Sequence, residues 1–228
     1  MAIRAIVSYD DTPGDHDALI LGKVLSAAGV DLVLAYVRHA FQAELTREQL
    51  EEHEAEGLLD RGARRLGDPA VGRRVVLSGS TGEGLKWLAI QEQAELLVFG
   101  SDYRTPPGHI APPHSAEILL AGGSTAIAFA PASFSDRSEL DVRTIGLPEV
   151  PSDAAATETA YELADRLGAA IVDASVSADL LVVGSRPEAG PGEVLLSSQA
   201  ERAIEQANAP VLVVPRATPV RFSAPAVV

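Results

Sequence analysis

The sequence predicts an α/β protein with a Rossmann-like, doubly wound parallel sheet of strand order 3-2-1-4-5, present twice, with the second copy reduced to about three strands. Short runs of branched apolar residues alternate with amphipathic segments, and this alternation stops at a polar stretch and then begins again. The second set also repeats residues of the first at a fixed spacing. Strands that alternate with helices are typical of a parallel sheet with right-handed crossovers.

The first copy is predicted to have five strands. Its apolar runs have the length and branching of strands that are buried on both faces of a sheet. Gly29 is expected to end the first helix, because glycine readily adopts the left-handed conformation found after helix ends. The predicted strands cover residues 3–9, 31–37, 74–77, 96–100 and 126–130, and the predicted helices cover 17–28, 46–66, 82–93 and 115–120.

An internal repeat defines the second copy. Residues 94–101 recur as 178–185 at an offset of 84, and the same offset relates Pro131 to Pro215. An ungapped match of this length across strand, loop, helix and strand indicates internal duplication. The predicted domains are therefore residues 1–131 and 141–216, joined by a polar linker at 132–140 and followed by a tail at 217–228.

The start of the second copy has a different offset. Residues 4–6 match 143–145 and Gly29 matches Gly168, both at an offset of 139. The change from 139 to 84 removes 55 residues, which we assign to the second and third strands with their helices. This deletion would expose a new sheet edge beside the first strand of the second copy. A stub at 170–172, the C-terminal tail or a partner would then have to cover that edge.

The amino-acid composition excludes some kinds of site and disfavours some kinds of partner. The 228 residues include no cysteine, which excludes disulfides, thiolate metal sites and cysteine nucleophiles. A formal net charge of −14 disfavours nucleic acid and anionic membranes as partners. The apolar runs are too short to span a membrane and the N-terminus resembles a strand rather than a signal peptide, so we expect a cytoplasmic protein.

Three segments of the second copy resemble the universal stress protein family in its tandem two-copy form. They are residues 180–186, 195–202 and 209–215. The resemblance implies the α/β fold already predicted, and a nucleotide motif Gly-x2-Gly-x9-Gly-Ser/Thr after the fourth strand. In such a motif, glycines let backbone amides approach phosphates closely, and the hydroxyl group donates to a phosphate at a helix N-terminus.

The resemblance also assigns candidate residues, and both copies depart from the motif. In the first copy, Tyr103 and Pro113 replace the second and third glycines, and in the second copy Pro187 replaces the second glycine. Asp10 would hold a ribose and Val37 would read an adenine, whereas Glu149 replaces the acidic residue in the second copy, whose adenine-reading strand is expected to be deleted. The candidate binding residues are Asp10, Val37, Gly100, Ser101, His114, Gly184, Ser197 and Ser198.

Two functions remain open. The first is a non-catalytic stress-response protein that acts through protein contacts, with a degenerate nucleotide site. The second is an adenine-nucleotide sensor that binds ATP or AMP through the first copy; no cofactor is firmly predicted. An enzyme is disfavoured because no motif places a general base. The family resemblance also implies that the last strands, 127–130 and 211–214, can pair with each other, which would give a monomer built like a dimer. Alternatively, the truncated edge can mediate self-association.

Other motifs have simpler interpretations. Residues 79–84 resemble a phosphate loop but lack its lysine, so a helix cap with Thr81 is preferred. Metal sites at His16 with its aspartate neighbours, or at His109 with His114, are disfavoured, since no helical His-x3-His pair is present. The proline-rich loop 105–113 is interpreted as a lid over the former phosphate site or as a partner contact.

Overall fold

The computed structural model describes residues 3–39, 45–138, 140–148, 153–173 and 177–222, without the side chains of residues 45–51. The first copy has the predicted five strands and four helices. Its elements are β1 Arg4–Ser8, α1 Pro13–Ala27, β2 Asp31–His39, α2 Leu45–Leu66, β3 Gly72–Ser78, α3 Thr81–Gln91, β4 Leu96–Phe99, α4 His114–Leu120 and β5 Ala126–Phe129.

The second copy has four described strands, one more than the sequence led us to expect. A 3₁₀ turn at Phe134–Asp136 precedes it, and its elements are β6 Thr144–Leu147, α5 Ala154–Leu167, β7 Ala170–Asp173, β8 Leu180–Gly184, α6 Ser198–Gln206 and β9 Val211–Val214. One sheet contains all nine described strands in the order β3-β2-β1-β4-β5-β9-β8-β6-β7. Neighbouring strands are parallel except β5 and β9.

Strand β7 corrects the predicted deletion. It pairs in parallel with β6, as β2 pairs with β1, so it is the shortened counterpart of the second strand. The deletion therefore removes the counterparts of α2, β3 and α3 but leaves the second strand in place. With only four residues, β7 was too short for its sequence to distinguish a strand from a stub. Its pairing also satisfies the backbone groups of β6 that would otherwise form the sheet edge.

The register of β6 corrects one offset. Ala5 pairs with Leu96, and Ile145 pairs with Leu180, the residue 84 positions after Leu96. Ala5 is therefore equivalent to Ile145 at an offset of 140, rather than the 139 suggested by matching residues 4–6 with 143–145. Ala5 and Ile145 also contribute to the same core cluster. A shift of one residue would turn every side chain of the strand to the opposite face of the sheet.

The two copies join through their last strands, as the sequence predicted. Strands β5 and β9 are antiparallel, with Ile127 opposite Val213 and Phe129 opposite Val211. The joined sheet separates two apolar clusters, because successive side chains of a strand point to opposite faces. Helices α1, α2 and α5 cover one face, and α3, α4 and α6 cover the other.

The C-terminal tail packs against a helix rather than against the sheet edge. The Val220 backbone N–H donates to Oγ1 of Thr159 at 2.9 Å, and the buried Phe222 joins the same core as α5. Arg221 forms ion pairs with Glu158 and Glu162 at 2.6 and 2.5 Å. The tail therefore packs against α5, while β7 forms the outer edge of the sheet in the second copy. Within the described residues, no helix has the length and hydropathy needed to cross a bilayer.

Candidate functional site

The carboxyl ends of the first copy's strands bring three of the predicted site residues to one edge. Ser8 pairs with Ala35, and two residues further along each strand lie Asp10 and Val37. Val7 pairs with Val98, which places Asp10 level with Ser101. The strand order reverses between β1 and β4, and ligands of open α/β sheets bind outside the carboxyl ends of strands at such a reversal.

The first turn of α1 covers Gly100 at this edge. A Cβ atom built on Gly100 would lie 1.8 Å from the carbonyl oxygen of Gly14, and a Cβ on Gly14 would lie 2.5 Å from the carbonyl oxygen of Ser101. No real Cβ tolerates such distances, so both positions require glycine for the contact between helix and strand end. Gly100 thus has a packing role here, on the side of its backbone that α1 occupies.

Ser101 has a structural hydrogen bond that the second copy repeats. The Oγ of Ser101 donates to the carbonyl oxygen of Ala130 at 2.8 Å. In the second copy, the Oγ of Ser185 donates to the carbonyl oxygen of Val214 at 2.9 Å. All of these positions are related by the offset of 84, and both serines are buried. The Ser101 hydroxyl hydrogen is therefore engaged within the protein. Gly184, just before Ser185, is the buried last residue of β8.

The proline-rich loop has the same backbone structure in both copies. The Gly108 N–H donates to the Ala132 carbonyl at 2.8 Å, and its equivalent Gly192 donates to Arg216 at 2.7 Å. Both glycines have a φ of +82°, a left-handed conformation that favours glycine. Further equivalent bonds run from Asp102 to Ala111 and from Arg186 to Leu195. The loop thus uses these backbone donors internally.

Tyr103 lies on the outside of this loop. Its side chain is exposed, and the guanidinium of Arg104 lies 4.9 Å from the centre of its ring. The replacement of the second motif glycine therefore presents an aromatic ring to solvent.

The helix starts that would face phosphates are used differently in the two copies. Pro113 precedes α4 without a capping side chain, and the exposed His114 contacts Glu117 with 2.6 Å between Nδ1 and Oε2. In the second copy, Ser197 caps α6 by accepting from the Ala200 N–H at 3.1 Å. Ser198, the first residue of α6, is exposed. Glu149 lies outside the described residues.

Residues 79–84 form a helix cap, as predicted, but Ser80 rather than Thr81 is the capping residue. Its Oγ accepts from the Glu83 N–H at 3.3 Å. Gly84 packs against Val37, because a Cβ there would lie 2.8 Å from Val37 Cγ1. The turn therefore supports the end of β2. Among the described residues, no group of three or more potential metal ligands is present.

Two carboxylates after β1 are engaged by internal partners. Asp15 accepts from the backbone N–H groups of Asp10 and Thr12, at 2.9 and 3.0 Å, and from the Thr12 hydroxyl at 2.7 Å. Asp11 contacts side chains of the same region: Tyr9 at 2.7 Å, Arg61 at 2.8 Å and His16 at 3.1 Å. Asp11 also has a φ of +60°, which is unfavourable for a residue with a side chain.

Asp10 differs from both neighbours, since its exposed carboxylate has no hydrogen-bond partner among the described residues. Partial burial, followed by the charges of Asp15 and Asp11, raises its pKa above the ordinary value, and His39 opposes this shift. Hydrogen bonds from Arg61, Tyr9 and His16 instead hold the pKa of Asp11 far below the ordinary range. Asp10 is thus the carboxylate that remains available for a ligand.

The sequence interpretation did not connect His39, Asp15 or Arg61 with the region around Asp10 and Asp11. His39 ends β2 and lies 3.4 Å from the Thr81 hydroxyl, measured from Nε2 to Oγ1. Both follow strands at the same edge of the sheet, which was a usable signal. Thr12 and Asp15 form a capping box, which the spacing Thr-x-x-Asp also indicated. Arg61 had no signal, because it reaches Asp11 from the distant helix α2.

Asp10→Asn is expected to stabilise the protein at neutral pH. A raised pKa in the folded state means that folding disfavours the ionised carboxylate, so the cost appears as pH rises above the unfolded value of about 3.9 and is complete above the folded pKa. Thermal unfolding of both proteins between acidic and neutral pH tests this. Their melting temperatures should coincide at the acid end and diverge in favour of Asn as pH rises; a variant less stable at neutral pH would contradict the expectation.

Comparison with known proteins adds sequence and fold relationships. Residues 168–215 match the model of the Universal stress protein family. A universal stress protein from Archaeoglobus fulgidus DSM 4304 is similar in structure, with a TM-score of 0.70 and 14% identity, over 93% of this chain and 98% of that chain. A functionally unknown protein from Pseudomonas aeruginosa PAO1 has a TM-score of 0.64 and 13% identity, over 95% and 93%.

Two further comparisons have less weight. A universal stress protein in complex with cAMP matches 60% of this chain and 92% of that chain, with 18% identity and a TM-score of 0.39, which is too low to bear on ligands here. No curated protein matches the sequence. Residues 168–215 are thus similar in sequence to the universal stress protein family, and the chain shares the fold of the Archaeoglobus fulgidus protein over nearly its whole length.

Proposed function

We propose that this chain is a non-catalytic stress-response protein of the universal stress type that acts through protein contacts, with a nucleotide site that has lost its phosphate half. The observation that carries this proposal is the internal use of backbone donors in the loop after β4, where the N–H groups of Asp102 and Gly108 donate to carbonyls of the protein. Pro113, at the position of the third motif glycine, has no N–H to offer a phosphate. The buried hydroxyls of Ser101 and Ser185 support it, since both donate to backbone carbonyls.

A nucleotide sensor is the second candidate, and the unpaired carboxylate of Asp10 favours it. Asp10 lies level with Val37 at the edge where β1 and β2 end, so a nucleoside could contact both. A carboxylate accepts hydrogen bonds from the two hydroxyls of a ribose without any phosphate contact. Under this alternative, ATP and AMP would bind through the nucleoside and gain little from their phosphates.

Calorimetric titration with ATP, AMP and adenosine separates the two candidates. We expect no binding heat at millimolar ligand, because the phosphate contacts that strengthen nucleotide binding are absent. Asp10→Ala and Asp141→Ala provide matched variants, since each removes one exposed aspartate. Micromolar binding that Asp10→Ala abolishes and Asp141→Ala retains would overturn the proposal in favour of the sensor.

The proposal includes the organisation and location of the chain. It divides the chain into domains at 1–131 and 141–216, with a linker at 132–140 and a tail at 217–228. The pairing of β5 with β9 supports a monomer built like a dimer. Self-association through the shortened flank of the second copy is the alternative. A sequence without cysteine suits a reducing cytoplasm, and the net charge of −14 favours protein rather than nucleic-acid partners.

A further inference from the structure

A cleft of about 470 Å³ lies between the two copies, and Asp10 is not among the residues that line it. Helices α4 and α6 and the segment before α6 form its walls. This volume is within the range of small-molecule sites, roughly 300–1,000 Å³. Its apolar lining consists of Pro112, Leu120, Ala121, Leu195, Leu196 and Ile204, and its charged lining of Glu117, Arg186, Glu201 and Glu205.

Divergence between the copies makes this cleft asymmetric. Glu117 and Glu201 are equivalent positions at the offset of 84, as are Leu120 and Ile204. Arg186 has no such counterpart, because the equivalent residue of the first copy is an aspartate. A dimer of identical chains would present the same residue from both sides, whereas this chain presents one arginine. The duplication therefore allowed a single cationic group to face the cleft.

Within the part of the chain that the structure describes, the guanidinium group of Arg186 has no hydrogen-bond or ion-pair partner. Its backbone N–H donates to the Leu195 carbonyl at 2.8 Å, which fixes the main chain at the cleft wall. The side-chain Nε is buried and has no acceptor within the described residues. Packing around Nε holds the stem of the side chain, so the terminal N–H groups are the ones available to a ligand. Arginine pairs with carboxylates through two parallel hydrogen bonds, which gives this group a clear ligand preference.

The opposite charge in the cleft comes from glutamates. Glu205 lies in the last turn of α6, where the helix dipole already favours a positive group, and no described residue pairs with it. Glu201 is also unpaired among the described residues, whereas Glu117 contacts His114. An anion alone would be repelled by these carboxylates, and a cation alone would leave Arg186 unsatisfied. A ligand that carries both charges is complementary to both sets of groups.

We propose that the cleft binds a small apolar zwitterion of the α-amino acid class. Its carboxylate bonds Arg186, its ammonium group bonds Glu205, and its side chain packs among Leu120, Leu195 and Ile204. This site does not depend on the state of the nucleotide site in the first copy. It gives the chain a ligand class distinct from nucleotides, which the asymmetric duplication made accessible.

Calorimetric titration of the full chain with L-leucine and L-phenylalanine tests the proposal. Both amino acids should bind with millimolar or tighter affinity. Two analogues of leucine each lack one charge: 4-methylpentanoate has no ammonium group and 3-methylbutylamine has no carboxylate. Each should bind at least about tenfold more weakly than leucine, since one charge-assisted contact is lost. An analogue that binds as tightly as leucine would overturn the proposal.

Two arginine variants test the assignment of the carboxylate contact. Arg186→Gln should weaken leucine binding about tenfold or more, whereas Arg202→Gln, an exposed residue of α6 that does not line the cleft, should change it by less than about twofold. Circular dichroism confirms that both variants are folded. Equal binding by wild type and Arg186→Gln, or no binding of either amino acid to wild type at about 10 mM, would overturn the proposal.

Discussion

Gly100→Ala is expected to lower the free energy of unfolding by about 3 kcal/mol or more, because the added methyl group has no room. Its Cβ would lie 1.8, 2.3 and 2.8 Å from the carbonyl oxygen, carbonyl carbon and Cα of Gly14. All three are backbone atoms, so no side-chain rotation relieves the clash. The first turn of α1 must instead move away from the end of β4. Urea unfolding measures the loss as a lower midpoint with an unchanged slope.

Gly79→Ala is the matched control for this substitution. Gly79 is exposed, has no atom within 4 Å of the added Cβ and does not have a left-handed φ. Alanine at such a position reduces the entropy of the unfolded chain and is expected to be neutral or to stabilise by about 0.4–1 kcal/mol. Equal effects of the two substitutions would contradict the close contact between α1 and Gly100.

The duplication could be predicted because the repeated segment preserves its backbone contacts. The offset of 84 was visible in the apolar strands and glycines, and the structure shows the same bonds at Gly108 and Gly192 and at Ser101 and Ser185. Each copy requires these contacts to close the loop after its fourth strand. The β5–β9 pairing followed from the resemblance to the universal stress protein family, and the structure shows it between two apolar strands that would otherwise be exposed edges.

The shortened flank and the surroundings of Asp10 could not be predicted in the same way. The Arg-x-Ile match at 143–145 favoured an offset of 139, but strand register depends on which face each side chain covers, and this requires the neighbouring strands. Strand β7 has four residues, too few for a pattern of alternation. Arg61 reaches Asp11 across 50 positions of sequence, and such a contact exists only after α2 packs on the sheet.

Phe129→Ala is expected to destabilise the protein by about 3–5 kcal/mol, the usual cost of deleting a buried aromatic ring. Phe129 is fully buried at the junction, opposite Val211 of the second copy. Its ring also stacks on Phe99, with 6.0 Å between centroids and 27° between planes. A double-mutant cycle with Phe99→Ala should give a coupling energy of about 0.5–1.5 kcal/mol for the ring pair. Tyr161→Ala, at an exposed position, should change stability by less than about 0.5 kcal/mol.

The same substitution tests whether the two copies unfold as one unit. Trp87 is the single tryptophan and lies in α3 of the first copy, so its fluorescence reports on that copy alone. Far-ultraviolet circular dichroism reports on the helices and strands of both copies. Because β5 and β9 belong to one continuous sheet, Phe129→Ala should shift both signals to the same lower urea midpoint. If only the fluorescence transition shifts, the copies unfold independently, and the junction contributes contacts without cooperativity.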